Sequence, residues 1–191
     1  MTNVALRPTC QTDLEFVIAA ERHPDNAPYI GQWTLAEHED AIASPNKAHL
    51  IVEKIDKPDL ITTSGQLTQF NSAQPIGYVI LVGLQNPHLS LQLKRIVILP
   101  KGKGFGRLTL RWLKAFTFDH LGYHRLELDV VSSNSRAQHL YRSEGFTDEG
   151  RLREAYKTST GYEDLLLLSI LKQEQDLKTI TWSTPSLNQN P

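Results

Sequence analysis

The stretch Ile96-Val97-Ile98-Leu99-Pro100-Lys101-Gly102-Lys103-Gly104-Phe105-Gly106-Arg107 joins a β-rich run to an amphipathic one through a loop rich in glycine and cations. Glycines at alternate positions allow positive φ angles and a close approach of the backbone to a ligand. The free N–H groups and the dipole at the start of a helix favour an anion there. The spacing G-x-G-x-G matches neither a P-loop nor the dinucleotide fingerprint. The loop therefore predicts an anion-binding turn of another kind.

The segments on either side of this loop predict a strand–helix–strand unit. Strands are expected over Leu89–Leu99 and Arg125–Val131, and the apolar residues that follow Phe105 recur at helical spacing. From Leu91 to Val131 this unit is expected to be a right-handed crossover between parallel strands.

The remaining patterns place this unit in a single mixed domain. Capping-box spacing begins two N-terminal helices, and Asn134 caps a later one. The other predicted elements are helices over 12–22, 34–43 and 134–145, strands over 49–53, 76–84, 146–155 and 162–171, and a connection over 54–75. This order predicts an α/β domain of the α+β type, with a mostly antiparallel central sheet and helices on both faces.

Size and composition limit the class of protein. The chain has 191 residues, a formal net charge of −1 and one cysteine, Cys10. This balance predicts no general attraction to nucleic acid or to a membrane surface, and one cysteine forms no intrachain disulfide. Without an apparent signal segment or membrane-spanning run, the sequence predicts a cytoplasmic protein. The domain is expected over residues 1–171, followed by a polar tail over 172–191 in which Trp182 could dock on a second copy as a homodimer.

Cations cluster around the loop in a stretch that holds no acidic residue. The members are Lys94, Arg95, Lys101, Lys103, Arg107, Arg111 and Lys114. In a chain with almost no net charge, this asymmetry favours a pyrophosphate ligand. Arg111 and Lys114 also fit the solvated face of an ordinary helix.

Two motifs resemble the GNAT family of N-acetyltransferases. The segment from Lys101 to Gly106, KGKGFG, is similar to the family's R/Q-x-x-G-x-G/A segment, with a lysine where the family prefers arginine or glutamine. Downstream, the run from Asn134 to Phe146 resembles the family's N-x-x-A-x-x-x-Y-x-x-x-G-F run. The resemblance covers roughly Leu91–Leu171 and points to the branch of ribosomal-protein N-terminal and polyamine acetyltransferases.

The resemblance implies an acetyl-CoA-dependent enzyme that acetylates a primary amine, either a small amine or a protein N-terminus. It assigns acetyl-CoA binding to the strand end, the loop and the later helix: Ile96, Val97, Ile98, Lys101, Gly102, Lys103, Gly104, Phe105, Gly106, Arg107, Asn134 and Tyr141. Tyr141 would protonate the leaving thiolate. Asn134 and Tyr141 share one helix face because seven residues make about two turns. The plainer interpretation makes Asn134 a cap and Tyr141 a core aromatic.

The general base is left open. Family relatives often carry a carboxylate on the strand before the loop, whereas this strand offers Gln92, Lys94 and Arg95. Glu21 is favoured, with Glu127, Asp129 and a water chain as alternatives. Glu21 belongs to an acidic rim that could attract a cationic amine: Asp13, Glu15, Glu21, Asp25, Glu37, Glu39 and Asp40.

Two other functional classes compete with an enzyme. The same fold could bind acyl-CoA as a sensor or scaffold without transfer, or it could be a phosphate-binding regulatory domain. No metal is expected, since His38 and His139 are single histidines without a ligand-spaced partner and are interpreted as surface residues. Direct transfer through a ternary complex is expected, because no cysteine lies near the motifs.

Overall fold

The computed structural model describes residues 3–55 and 73–175. Seven strands form one sheet, and four α helices pack on it. The strands are β1 Asn3–Pro8, β2 Lys47–Ile55, β3 Gln74–Val82, β4 Ser90–Ile98, β5 Arg125–Val131, β6 Thr147–Lys157 and β7 Tyr162–Leu171. The helices are α1 Leu14–Arg22, α2 Leu35–Ala43, α3 Phe105–Ala115 and α4 Ser135–Ser143. A π-helical turn, Phe116–His120, continues α3.

The sheet is antiparallel except at one junction. Its strand order is β1-β2-β3-β4-β5-β7-β6, and among the described strands β4 and β5 are the one parallel pair. Their pairing covers only three positions, the last being Gln92 with Glu127. The predicted fold class is therefore confirmed. The right hand of the crossover stays a prediction.

The two faces of the sheet carry separate apolar clusters. On one face α3 packs Leu110 and Leu113 against residues such as Val79 and Leu93. On the other face α1 packs Val17 and Ala20 against strand residues of β2, β3 and β4. Helices on both faces are what the sequence predicts, and the sheet keeps the two helical layers apart.

Several boundaries differ from the prediction. The strand β1 was not expected, although Val4 and Leu6 alternate on its buried side. Helix α1 begins at Leu14, because Cys10 and Asp13 form the capping pair of a preceding short turn and Thr12 caps nothing. The second predicted capping box is confirmed, with Thr34 and Glu37 bonded reciprocally.

The predicted connection over 54–75 lies mostly outside the described residues, and the strands extend into both of its ends. The predicted tail is described only to residue 175, through a short turn over Lys172–Glu174, so Trp182 lies outside. In the described ranges, no helix is long and apolar enough to cross a membrane.

Candidate acetyl-CoA and acceptor site

The loop between β4 and α3 has the backbone of an anion-binding turn. Gly102 and Gly104 have φ angles of 73° and 80°. Residues other than glycine adopt such positive φ angles only at a cost in free energy. A Cβ added at either position would meet nothing within 4 Å. Gly104 is the N-cap of α3, so the N–H groups of Phe105, Gly106 and Arg107 have no partner within the helix. The turn therefore has the left-handed glycines and the free helix N-terminus that the sequence predicts.

Ion pairs redistribute the cations near this loop. Arg107, Arg111 and Lys114 all bond the buried carboxylate of Glu144, at the end of α4. The side chain of Arg107 is thus paired with Glu144, and its assignment to the cofactor stays a prediction. Its backbone N–H is free at the start of α3.

Two lysines remain at the loop itself. Lys101 donates to the side-chain oxygen of Asn26, and burial lowers the pKa of its ammonium group. Lys103 is exposed. The positive charge at the loop is therefore smaller than the sequence suggests, and an anion there would depend more on the backbone donors.

The edge of β4 is open beyond Gln92. In the part of the chain that the structure describes, no strand pairs with the β5 side of Ile96, Val97 or Ile98, whose pairing is with β3. Leu99 donates its N–H to Ile76 of β3 at 2.8 Å. Backbone groups alternate in direction along an antiparallel strand, so those of Ile96 and Ile98 point to the open edge and those of Val97 point to β3.

Helix α4 brings the second motif to this edge. Asn134 caps it by accepting the N–H of Ala137 at 3.1 Å, and a Cβ on Gly106 would lie 3.3 Å from Leu140, so α3 and α4 are in close contact. Tyr141 is 6% exposed. Among the described residues nothing hydrogen-bonds its hydroxyl. Burial and the charge of Asp129 raise the pKa of Tyr141, which keeps the hydroxyl protonated.

Glu21 does not fit the predicted general base. Its carboxylate is 1% exposed and accepts hydrogen bonds from the hydroxyl of Tyr78 at 2.5 Å, the N–H of Trp33 at 2.9 Å and the guanidinium of Arg95. Burial raises the pKa of Glu21, but these partners and His38 outweigh it and lower the pKa overall. Glu21 is a buried anion that holds Arg95 in place.

His38 also corrects the sequence interpretation, which places it on the surface. It is fully buried, with Nδ1 at 3.1 Å from His49 Nε2 and Nε2 at 3.3 Å from Glu21 Oε1. His49 in turn contacts the hydroxyl of Thr9 at 2.9 Å. These polar side chains form a buried row behind Glu21. His139 is exposed, as expected.

The two acids of β5 differ in what they contact. Both line a cavity of about 100 Å³ at the base of the gap between β4 and β5. Glu127 is paired with Arg125 at 2.7 Å. Asp129 accepts one hydrogen bond, from the side-chain amide of Gln92 at 3.2 Å. Asp129 is therefore the carboxylate at this gap with the fewest hydrogen-bond and ion-pair partners. The sequence does not show this difference, because the hydrogen bond to Asp129 comes from Gln92, which is distant in sequence.

The predicted acidic rim is mostly engaged within the protein. Asp13 pairs with Arg7, Glu21 with Arg95, Glu37 with the Thr34 cap, and Glu39 with Gln11. Within residues 3–55 and 73–175, no group of three or more His, Cys, Asp or Glu side chains could hold a metal ion. Among the acids of this rim that the structure describes, arginines neutralise only Asp13 and Glu21, whereas Glu37 and Glu39 bond neutral groups and keep their charge.

Comparison with known proteins connects this chain to acetyltransferases. The model of the Acetyltransferase (GNAT) family matches residues 28–146. Spermidine N(1)-acetyltransferase of Vibrio cholerae is 34% identical over 101 residues, which cover 52% of this chain and 58% of that protein. The uncharacterized N-acetyltransferase YokL of the Bacillus subtilis SPbeta prophage is 30% identical over 40% of this chain and 44% of its own. The chain thus matches about half the length of these curated relatives.

Solved structures extend the likeness to almost the whole fold. Spermidine N-acetyltransferase from Vibrio cholerae in complex with CoA and spermine superposes with a TM-score of 0.74 and 25% identity. The match covers 90% of this chain and 97% of that one. A chimera of the Vibrio cholerae enzyme gives a TM-score of 0.73 at 24% identity, over the same shares of the two chains.

Proposed function

The chain belongs to the GNAT family of acetyltransferases, and from this membership we propose that it transfers an acetyl group from acetyl-CoA directly to a primary amine. One observation carries the proposal. The unpaired edge of β4 leads straight into the glycine turn at the start of α3, while α4 packs on that turn and carries Tyr141. A strand edge, an anion site and a buried phenol are what a thioester on a diphosphate carrier requires.

Acetyl-CoA would bind along this path. The diphosphate would accept hydrogen bonds from the N–H groups that begin α3, with Lys103 as the exposed cation. The amide groups of the pantetheine arm would pair with the outward backbone groups of Ile96 and Ile98, as an added strand pairs with a sheet edge. Asn134, which caps α4, would stand beside the arm.

The transfer step needs a proton acceptor and a proton donor on opposite sides of the thioester. The neutral amine attacks the carbonyl carbon, and its proton passes to Asp129, directly or through water. An N–H of the open β4 edge stabilises the oxyanion that forms. The carbon–sulfur bond then breaks, and the hydroxyl of Tyr141 gives its proton to the leaving thiolate. Solvent reprotonates Tyr141 and the product amide leaves with the acetyl group.

Direct transfer is proposed because the chain offers no suitable thiol. Cys10, its single cysteine, belongs to the turn before α1, where its sulfur lies 3.0 Å from a carboxylate oxygen of Asp13. The polyamines named for the relatives are one class of acceptor, and a protein N-terminus is another. A cytoplasmic location, a homodimer, and a division into a domain over 1–171 and a tail over 172–191 remain part of this proposal.

The test is turnover with defined variants. The protein is mixed with acetyl-CoA and a panel of amines and peptides, and release of CoA thiol is followed. Loss of a general acid or base typically slows a reaction by about 10²–10⁴-fold, so Tyr141→Phe and Asp129→Asn should each lower kcat by about 100-fold or more while CoA affinity is kept. Tyr162→Phe, at a tyrosine that is 62% exposed, is the matched control.

The outcomes separate the competing functions. CoA binding without turnover on any amine would favour the sensor or scaffold. Turnover that Tyr141→Phe leaves unchanged would remove the acid from the mechanism and return Tyr141 to the core.

A further inference from the structure

Arg95 is a buried cation on the side of the sheet opposite the proposed CoA site. It lies on β4 beyond the last position that pairs with β5, and its partner across the strand pair is Ile80, which packs under α1. The residue is 8% exposed. Since α3 and α4 cover the other face, Arg95 lies where an acceptor rather than CoA would approach.

The guanidinium is held on two sides. Glu21 accepts from Nη1, and the ring centroid of Trp33 lies 4.0 Å from Cζ. The cation therefore lies over the ring, a contact that stabilises its position. Nη2 lies 3.6 Å from where a Cβ on Gly31 would be, so a glycine leaves the space beside it open.

The guanidinium keeps donors beyond those that hold it in place. Nη1 donates to Glu21, and the hydroxyl of Tyr78 also interacts with the guanidinium. In the described part of the chain, none of its nitrogens is a buried polar atom without a partner, so a donor that bonds no protein group is open to solvent or to a ligand. A fixed planar fork is suited to binding a carboxylate through two parallel hydrogen bonds.

The neighbourhood of Arg95 also bears on the acceptor. Burial raises the pKa of Tyr156, on β6, and the charge of Arg95 partly offsets that rise. On the same face of β4, Gln92 holds Asp129. A carboxylate that can attract an amine, on β5, and a guanidinium that can bind an acid, on β4, therefore lie on neighbouring strands.

We propose that the acceptor amine also carries a carboxylate, as in an amino acid or a related small amino acid derivative, and that Arg95 binds it. This inference rests on the proposed acetyl transfer and narrows its substrate class. A polyamine would bring a second ammonium group towards a fixed guanidinium whose neighbouring carboxylate, Glu21, is already paired with it.

The first test uses the unmodified protein with acceptors that differ only in the carboxylate. The pairs are L-lysine against 1,5-diaminopentane, L-ornithine against 1,4-diaminobutane, and L-phenylalanine against 2-phenylethylamine, with spermidine added. At least one pair should show a kcat/KM at least tenfold higher for the carboxylate form. A preference for the amines that lack the carboxylate, or for spermidine, overturns the inference and leaves acetyl transfer standing. Failure to acetylate any amine refutes the proposed function instead.

The second test is Arg95→Lys, which keeps a cation beside Glu21 and removes the planar fork. The ratio of kcat/KM within the preferred pair should fall towards one, because the bidentate contact is lost for one member only. If Arg95 had a purely structural role, Arg95→Lys would lower kcat/KM for both acceptors of the pair equally and leave their ratio unchanged. That result would overturn the inference. Thermal unfolding and CoA affinity, measured in parallel, identify a variant that has failed to fold. In that case the comparison of acceptors with the unmodified protein decides whether the acceptor carries a carboxylate.

Discussion

Glu144 joins α3 to α4, and replacing it with glutamine should weaken the fold measurably. Its side chain is 3% exposed, and its carboxylate forms ion pairs with Arg107, Arg111 and Lys114. Lys114 also donates to the backbone oxygen of Glu144 at 2.7 Å. Glu144→Gln keeps the shape and one acceptor oxygen but removes the charge shared by three cations.

The magnitude follows from the burial of the partners. Breaking a buried ion pair costs about 3–5 kcal/mol. Two of the cations, Arg107 and Arg111, are 38% and 46% exposed, so water can solvate them when the carboxylate is removed. We therefore expect Glu144→Gln to lower the free energy of unfolding by about 2–3 kcal/mol. For a chain of this length that corresponds to a fall in Tm of about 4–12 °C.

The assay is urea unfolding and a thermal melt of both proteins at neutral pH. The control is Asp148→Asn, which breaks the Arg142–Asp148 pair, whose members are 46% and 48% exposed. That change should cost about 0–1 kcal/mol. A fall in stability for Glu144→Gln no larger than for the control would refute the reasoning.

The pH dependence provides a second check on Glu144. Burial raises the pKa of its carboxyl group, but Arg111, Lys114 and Arg107 outweigh burial and lower the pKa overall. A lowered native pKa means that the stabilisation is complete above the unfolded value of about 4.3 and is lost as the pH falls through the native value. The difference between the native protein and Glu144→Gln should therefore shrink below about pH 4.

The remaining predictions concern the glycine turn and the buried histidines. Gly104→Ala places a side chain at a φ of 80°, with strain of about 1–2 kcal/mol, and should weaken CoA binding in calorimetry several-fold. Gly150→Ala, also in open space but without positive φ, is the control, and equal affinities for the two variants would contradict an anion site at the turn. Burial lowers the pKa of His49 to about 4, so the unfolded chain binds the extra proton between about pH 6.5 and 4. The free energy of unfolding should therefore fall by up to about 3 kcal/mol as the pH is lowered from about 6.5 to about 4. In His49→Gln this loss should be smaller, and an unaltered pH profile would exclude His49 as its source.

Local patterns in the sequence determine much of this fold. β5 and β7 have the predicted bounds. β5 alternates between apolar and polar residues, whereas β7 contains a continuous apolar run, Leu165 to Leu168, that follows the turn at Gly161. Asn134 and Gly145 limit α4 as expected. β1 was missed because six residues with two buried apolar side chains give a weak signal, and its partner β2 lies more than forty positions away.

The site was predictable where it depends on the backbone and not where it depends on charge pairing. The glycine turn and the capped helix are encoded within a few residues each. Whether Arg107 faces a ligand or Glu144, and whether Glu21 is free or bound by Arg95, depends on contacts 37 and 74 positions apart. The order of charged residues along the chain does not show which of them form such pairs. The sequence therefore could not distinguish charged residues that are free to act in the site from those that are paired within the protein.

The position of Arg95 shows how one extra residue changes the chemistry of the site. In a strand without irregularities, side chains at 91, 93, 95 and 97 share one face, and Arg95 would then enter the apolar layer under α3 with Leu91 and Leu93. The pairing of β3 with β4 slips here, because Leu81 lies opposite Leu93 and Ile80 opposite Arg95. Lys94 is the additional residue, and it is exposed. This bulge exchanges the faces of all later residues, so Arg95 reaches Glu21 under α1, while Ile98 joins the cluster of α3. A β-bulge redirects side chains in this way next to active sites, and here it places a cation on the acceptor side of a strand whose backbone would hold the donor.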